Sequence, residues 1–316
     1  MRIVFMGTPD FSVPVLEALL KAGHEIAGVV TQPDKPKGRG KAVLMTPVKE
    51  KALEHGLSVY QPLKARTPQF VEILKGLKPD VMVVVAFGQI LTKEVLMIPP
   101  MGCVNVHASL LPKYRGAAPI QWAIIDGEKE TGVTTMMMDE GIDTGDMLEK
   151  TVIPVADDET GDSLHAKLSE AGAKLIVSTL KKLQDGTAVR TPQSDEGTCY
   201  AKMLKKDMGD IDWTMDAAAI ERLVRGLNSW PGTYTSWNGK TLKIWKAKAV
   251  DQEYEGACGE VVYKDKDTIL VKTGNGCLSL LELQPQGKKR MAADAFLRGY
   301  PVEMHAIFER VSTDGV

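Results

Sequence analysis

The first half of the chain alternates short apolar runs with amphipathic stretches, a rhythm that predicts a mostly parallel sheet covered by helices. The runs Arg2–Met6, Glu25–Thr31, Val81–Ala86, Gly102–Val106 and Gly132–Met138 are expected as strands, with Met147–Ile153 extending the sheet. Between them, Phe11–Lys21, Pro47–His55, Pro68–Leu77 and Pro119–Ile125 are expected as helices. Val15, Leu16, Leu19 and Leu20 give the first of these a stripe facing the sheet. Ser163–Leu183 is expected as a long helix, with Leu164, Leu168, Ala171, Leu175, Val177 and Leu180 as its apolar side. Thr160-Gly-Asp162 starts it and Asp185-Gly186 stops it.

After a polar stretch from Thr187 to Thr198 the rhythm changes. One helix, Asp216–Leu227, precedes strand runs at Tyr234–Trp237, Leu242–Ala249, Gly259–Tyr263, Thr268–Lys272 and Leu278–Gln284, with a short closing helix at Met291–Leu297. Five short strands separated by turn signals suggest a small barrel of the OB type. The expected architecture is therefore α/β: a Rossmann-like domain over 1–188, a linker over 189–206 and an OB-like barrel over 207–316. The first strand-to-helix turn, Gly7-Thr-Pro-Asp-Phe-Ser12, is not G-x-G-x-x-G, so the sheet is no argument for a dinucleotide. Gly38-Arg-Gly-Lys41 likewise lacks the pattern of a phosphate-cradling P-loop.

The strand ending near residue 106 carries the candidate chemistry. Asn105 and His107 are two apart, so both side chains project from one face at the strand's C-terminal end. Open α/β sheets place their ligands there. Asp143 follows in Gly141-Ile142-Asp143-Thr144-Gly145-Asp146. When an amine attacks a carbonyl, negative charge collects on oxygen and the nitrogen becomes acidic. The Asn105 amide and a protonated His107 can both donate to that oxygen. Asp143, if it reaches His107, would orient the ring and favour its charged form. No Ser or Cys in this segment stands in a nucleophile context, so direct transfer is the better reading. The blander alternatives are a capping pair at the strand end and ordinary turn chemistry at the Asp-Gly run. The acidic run lacks the glycine and glutamate positions of an EF-hand, so no metal is expected.

Composition narrows the partners. With 316 residues, 44% of them hydrophobic and 25% charged, the chain is an ordinary globular protein of two-domain size. No apolar run reaches eighteen residues and Met1–Met6 is too short for a signal core, so a cytoplasmic protein without membrane contact is expected. Cys103, Cys199, Cys258 and Cys277 are scattered, as reduced thiols would be, and Cys103 either lines the site or is a small core residue. A protein that wraps nucleic acid over most of its surface is usually basic overall, so at a net charge of −2 any such contact needs a local patch. Lys35-Pro-Lys37-Gly-Arg39-Gly-Lys41 is the densest, and its alternative is a solvated loop. A second patch would join Lys243, Lys246 and Lys248 to Lys288-Lys289-Arg290.

Taken together, Asn105-Val-His107-Ala-Ser109-Leu-Leu-Pro-Lys-Tyr-Arg-Gly116-Ala-Ala-Pro-Ile120 and Asp143-Thr-Gly-Asp146 resemble the signature of the 10-formyltetrahydrofolate-dependent formyltransferases. Gly7-Thr-Pro-Asp-Phe11, Thr31-Gln-Pro-Asp34, Asp80–Ala86, Ile211-Asp-Trp213 and Leu283–Lys289 extend the resemblance along the whole chain, toward the branch that acts on methionyl initiator tRNA. The resemblance implies that Asn105, His107 and Asp143 are the catalytic trio. It implies that folate is bound by Ser109, Leu110, Leu111 and Pro112, and by the backbone around Val85, Phe87, Gly88 and Asp139. It also implies that Lys35, Lys37, Arg39 and Lys41 meet the tRNA acceptor end, in an enzyme expected to be a monomer. Its rivals are formyl transfer to a small phosphorylated amine or to a nucleotide-linked amino sugar, hydrolysis of the formyl donor, and RNA binding by a degenerate enzyme scaffold.

Overall fold

Strand β1, Arg2–Gly7, is an unbroken apolar run in which Ile3, Val4, Phe5 and Met6 lose all solvent exposure. A parallel strand covered on both faces needs that composition, and Val81–Val85, all buried, repeats it. The computed structural model describes residues 1–37 and 42–311. It divides into two units: Met1–Pro119, Glu130–Pro154 and His165–Ala201 make the first, and Ile120–Lys129, Val155–Leu164 and the chain from Lys202 onward make the second.

In chain order the first unit continues with α1 (Val13–Lys21), β2 (Glu25–Val30), the short antiparallel pair β3 (Lys35–Lys37) and β4 (Ala42–Leu44), α2 (Pro47–Glu54), β5 (Val59–Tyr60) and α3 (Pro68–Gly76). Then come β6 (Val81–Val85), α4 (Lys93–Leu96), β7 (Cys103–His107) and β8 (Arg115–Gly116). Beyond α5 (Pro119–Ile125) follow β9 (Glu130–Met137), β10 (Met147–Pro154), α6 (Gly161–Gln184) and β11 (Tyr200–Ala201). The main sheet runs β10-β9-β7-β6-β1-β2-β5. Strands β7, β6, β1, β2 and β5 are parallel, whereas β9 and β10 join one edge antiparallel. The chain winds one way from β1 through β2 to β5 and the other way through β6 to β7. The C-terminal ends of β1 and β6 therefore flank a topological switch point.

The amphipathic helices fall where the pattern puts them, with differences at their edges. The first opens with a 3-10 turn at Asp10–Ser12 and becomes α-helical at Val13, beside a proline that suits a first helical turn. Leu20 is only half-buried there. In α6 the buried position is Ile176 rather than Val177, which lies half-exposed on the far side of the stripe. Gly172 lets α6 sit close to the sheet, since a Cβ there would press on Val106 at 2.9 Å. Among the described residues no helix is long and apolar enough to cross a membrane.

The second unit holds α7 (Ala217–Gly226), β12 (Thr233–Trp237), β13 (Lys240–Val250), β14 (Val261–Lys264), β15 (Ile269–Lys272), β16 (Cys277–Pro285), β17 (Met291–Ala292) and α8 (Ala293–Gly299). Its antiparallel sheet runs β12-β13-β16-β15-β14, with β17 on β16. Residues His305 to Glu309 close it: Ser236 on β12 exchanges backbone hydrogen bonds with Glu309 at 2.7 and 3.0 Å, while the Val261 N–H on β14 donates to Ala306 O at 2.9 Å. The sequence Met291–Leu297 is not one helix. Its first two residues pair with β16 and the helix starts at Ala293. Ile120–Ile125 also belongs to this unit, held by the Arg222 Nε–H to Ile125 O bond at 3.0 Å.

Phe296 is fully buried in the core of this unit, stacked on Tyr300 at 4.9 Å and edge-on to Trp237 at 5.5 Å. Phe296→Ala is expected to cost about 3–5 kcal/mol, because the vacated volume cannot collapse among rigid rings. Chemical unfolding of the whole protein measures it, and an unchanged midpoint would contradict it.

Candidate active site

The end of β7 turns Asn105 and His107 to the same face, 8% and 6% exposed. Asp143 comes to them from the loop between β9 and β10, with its side chain 17% exposed. Its Oδ1 accepts from Asn105 Nδ2 at 3.4 Å, and its Oδ2 accepts the Gly116 backbone N–H at 2.8 Å and lies 3.7 Å from His107 Nδ1. The three residues expected from the sequence therefore converge on one spot at the C-terminal edge of the sheet.

His107 is oriented mainly by a partner that the sequence did not reveal. Its Nε2 lies 2.9 Å from the Tyr114 carbonyl, an oxygen that can only accept, so Nε2 carries a hydrogen. Nδ1 is then the nitrogen that gains or loses a proton, and it faces Asp143. Tyr114 and Asp143 both adopt left-handed backbone, with φ of 58° and 54°. Side-chain-bearing residues hold such a conformation only where the surroundings fix it, a pattern common at working sites.

The Ser109–Pro112 loop lies beside this group and contains a cis Leu111–Pro112 bond. Ser109 and Leu111 are completely buried, whereas Leu110 and Pro112 are half-exposed. The loop is braced from within. Ser109 Oγ donates to Lys113 O at 2.6 Å, and the buried Thr134 hydroxyl donates to Ser109 O at 2.7 Å while accepting Leu111 N–H at 3.1 Å. Lys150 Nζ donates to Leu111 O at 2.5 Å, and partial burial lowers the pKa of that ammonium. Neither Thr134 nor Lys150 stood out in the sequence, where each is one polar residue in a strand.

The loop after β6 forms another wall. Phe87 is buried, and Ala86 and Gly88 have φ of 45° and 78°. Ser12 Oγ donates to Val85 O at 2.7 Å, Thr8 Oγ1 to Phe87 O at 3.0 Å, and Gln32 Nε2 to both Phe87 O and Gly88 O at 3.2 Å. Thr8 and Gln32 thus tie the ends of β1, β2 and β6 together, which gives a physical role to the Gly7-Thr-Pro and Thr31-Gln-Pro strings. Asp139 accepts from Gly141 N–H at 3.0 Å and from the Thr144 hydroxyl at 2.8 Å, so its side chain shapes the Asp143 loop. Cys103 does not line the site: it is 1% exposed in the core, and burial pushes its thiol up to about 12.

Of the basic loop, Lys35 is exposed on β3 and Lys37 ends that strand, while Arg39 and Lys41 lie outside the described residues. In the second unit Lys243 and Arg290 both lie over the indole of Trp245, 5.6 and 5.1 Å from its ring centre.

Two family profiles match this arrangement: Formyl transferase over residues 1–180, and Formyl transferase, C-terminal domain, over residues 203–301. The chain belongs to the formyl transferase family. A methionyl-tRNA formyltransferase of Agathobacter rectalis is 58% identical over 310 residues, covering 98% of this chain and 99% of that one. One from Clostridioides difficile is 50% identical over 303 residues, covering 96% of this chain and 98% of that one. Among solved structures the chain is similar to the sugar 3N-formyl transferase WlaRD, with a TM-score of 0.67 at 19% identity over 92% of this chain and 99% of that one. It is also similar to HypX of Aquifex aeolicus bound to tetrahydrofolic acid, with a TM-score of 0.64 at 20% identity over 98% of this chain and 50% of that one. Those distant likenesses establish the fold of this formyl transferase.

Proposed function

We propose that this formyl transferase moves the formyl group of 10-formyltetrahydrofolate to the α-amino group of methionine on initiator tRNA. The observation that carries the reading is the convergence of Asn105, His107 and Asp143, with no thiol or hydroxyl in a nucleophile's place among the described residues that form it. The relatives at 50–58% identity over nearly their full length carry that activity in their names, which supports the choice of acceptor.

The amine lone pair attacks the formyl carbon, a C–N bond forms, and the carbonyl electrons move to oxygen. Asn105 Nδ2–H and a protonated His107 Nδ1 stabilise the oxyanion, a donor contribution of about 3 kcal/mol for one such group. The ammonium proton passes to the Asp143 carboxylate or to a water beside it. The carbon–N10 bond then breaks and N10 takes up one proton, so tetrahydrofolate leaves and protons balance. The Ser109–Pro112 loop and the Val85–Gly88 and Asp139–Asp143 segments would hold the folate, and no metal takes part.

In this reading residues 1–188 perform catalysis and residues 207–316 hold tRNA, joined by 189–206. Lys35, Lys37, Arg39 and Lys41 would meet the acceptor end, and the Lys243–Trp245–Arg290 group offers phosphate-binding cations around an aromatic face. The enzyme would act as a cytoplasmic monomer.

Lys150→Met should leave the fold intact but loosen the folate loop, raising KM for the formyl donor by about tenfold through loss of one charged hydrogen bond. Steady-state kinetics with varied donor checks this, and an unchanged KM would contradict it. The function itself is tested by following donor consumption with and without methionyl-tRNA. Acceptor-dependent production of tetrahydrofolate is expected, whereas equal formate release without acceptor would make the protein a hydrolase.

A further inference from the structure

Residues 181–202 lie between the two matched family profiles, and most of 190–197 is exposed. Gln193 departs from that pattern, half-buried within an exposed run. Its amide makes three hydrogen bonds to nitrogen and oxygen groups, besides a long one from Nε2 to Met136 Sδ at 3.9 Å. The oxygen accepts from Arg115 Nε at 2.9 Å, and Nε2 donates to Asp143 O and to Gly145 O, each at 2.8 Å. A guanidinium can only donate and carbonyls can only accept, so these partners fix which way the amide faces.

The partners are the two walls that hold the Asp143 carboxylate. Arg115 precedes Gly116, whose N–H binds Asp143 Oδ2. Arg115 is also a 4% exposed cation, a group that burial penalises unless it is paired. On the other wall, Asp143 sits in left-handed backbone, and Gly145 is packed so closely under the Met137 carbonyl that a side chain there would collide with it. The segment carrying Gln193 is itself anchored on both sides. Thr191 exchanges backbone hydrogen bonds with Met147, both 2.9 Å. Farther along, β11 pairs with β8, Arg115 N–H donating to Cys199 O and Ala117 N–H to Ala201 O, each at 2.9 Å.

We propose that Gln193 is a positioning residue, a clamp that joins the Asp143 loop to the Arg115–Gly116 loop and so sets the angle at which the carboxylate meets Asn105 and His107. The inference rests on the role given above to Asp143. The strap between the two profiles would then be part of the catalytic machinery as well as a connector, acting on the reaction and on neither substrate directly.

Gln193→Met keeps the length and bulk of the side chain and removes all of these bonds. We expect kcat to fall about a hundredfold from a small misplacement of the trio, while KM for both substrates stays within about twofold. The melting temperature should fall by no more than a few degrees, the cost of the buried Arg115 Nε–H losing its acceptor. Gln193→Glu, of the same shape, sets a carboxylate oxygen against two carbonyls and should be at least as slow, which keeps the test open if the methionine variant folds poorly. The deciding readout is non-additivity: Gln193→Met combined with Asp143→Asn should be no slower than Asp143→Asn alone. Normal kcat in both Gln193 variants, or a loss that multiplies with that of Asp143→Asn, would overturn the positioning role. Full turnover in Asp143→Asn would instead sink the role of Asp143 and this inference with it.

Discussion

Asn105→Ala is expected to lower kcat by about a hundred- to thousandfold with little change in tRNA affinity. The side chain stands at the end of a buried strand, 8% exposed, with its amide 3.4 Å from the carboxylate it faces. One N–H reaches Asp143 and a second remains to meet charge developing in the cleft. Because Asn105 pairs in register with Val84 on one side and Met136 on the other, the backbone holds the donor in place before substrate arrives. Removing it leaves the cleft open and the ladder intact, so the loss should fall on the chemical step. Single-turnover kinetics with tRNA binding measured separately checks this. A large rise in tRNA Kd with unchanged kcat would assign Asn105 to binding instead.

Asp143→Asn should lower kcat by roughly a thousandfold, within the range for loss of positioned acid–base chemistry. The amide oxygen can still accept the Gly116 N–H, so the loop keeps one of its anchors. The NH2 group then takes the Oδ1 place and faces the Asn105 Nδ2 donor, and the only charge facing His107 Nδ1 among the described residues is lost. The His107 imidazolium that donates to the oxyanion would have no counter-charge. Turnover with both substrates saturating measures the effect, and activity within a few-fold of the parent would show that the Tyr114 carbonyl alone suffices to run His107.

The sheet was legible because parallel strands buried on both faces need continuous apolar runs, and β1 and β6 supply them. Asn105 and His107 were legible because a period of two is enough to put both on one face. Asp143 was placed through the family resemblance, since a turn of Asp and Gly residues looks the same whether or not it reaches a histidine 36 positions earlier. What the sequence hid was the bonding between side chains and distant backbone. The Tyr114 carbonyl on His107, Thr134 beneath the Ser109–Pro112 loop and Gln193 on Asp143 O leave no periodic trace. The two-residue strands β8 and β11 are likewise too short to show a pattern. The assignment of Ile120–Lys129 to the second unit was hidden for the same reason, because contacts with Arg222 and its neighbours decide it.

The destination of the formyl group decides the function. The direct measurement supplies 10-formyltetrahydrofolate labelled in the formyl carbon and offers methionyl initiator tRNA, free methionine and an amino-sugar nucleotide in parallel reactions. Label is expected on the charged tRNA alone, as N-formylmethionine after deacylation. Label on the amino sugar, or released as formate whatever acceptor is present, would contradict it.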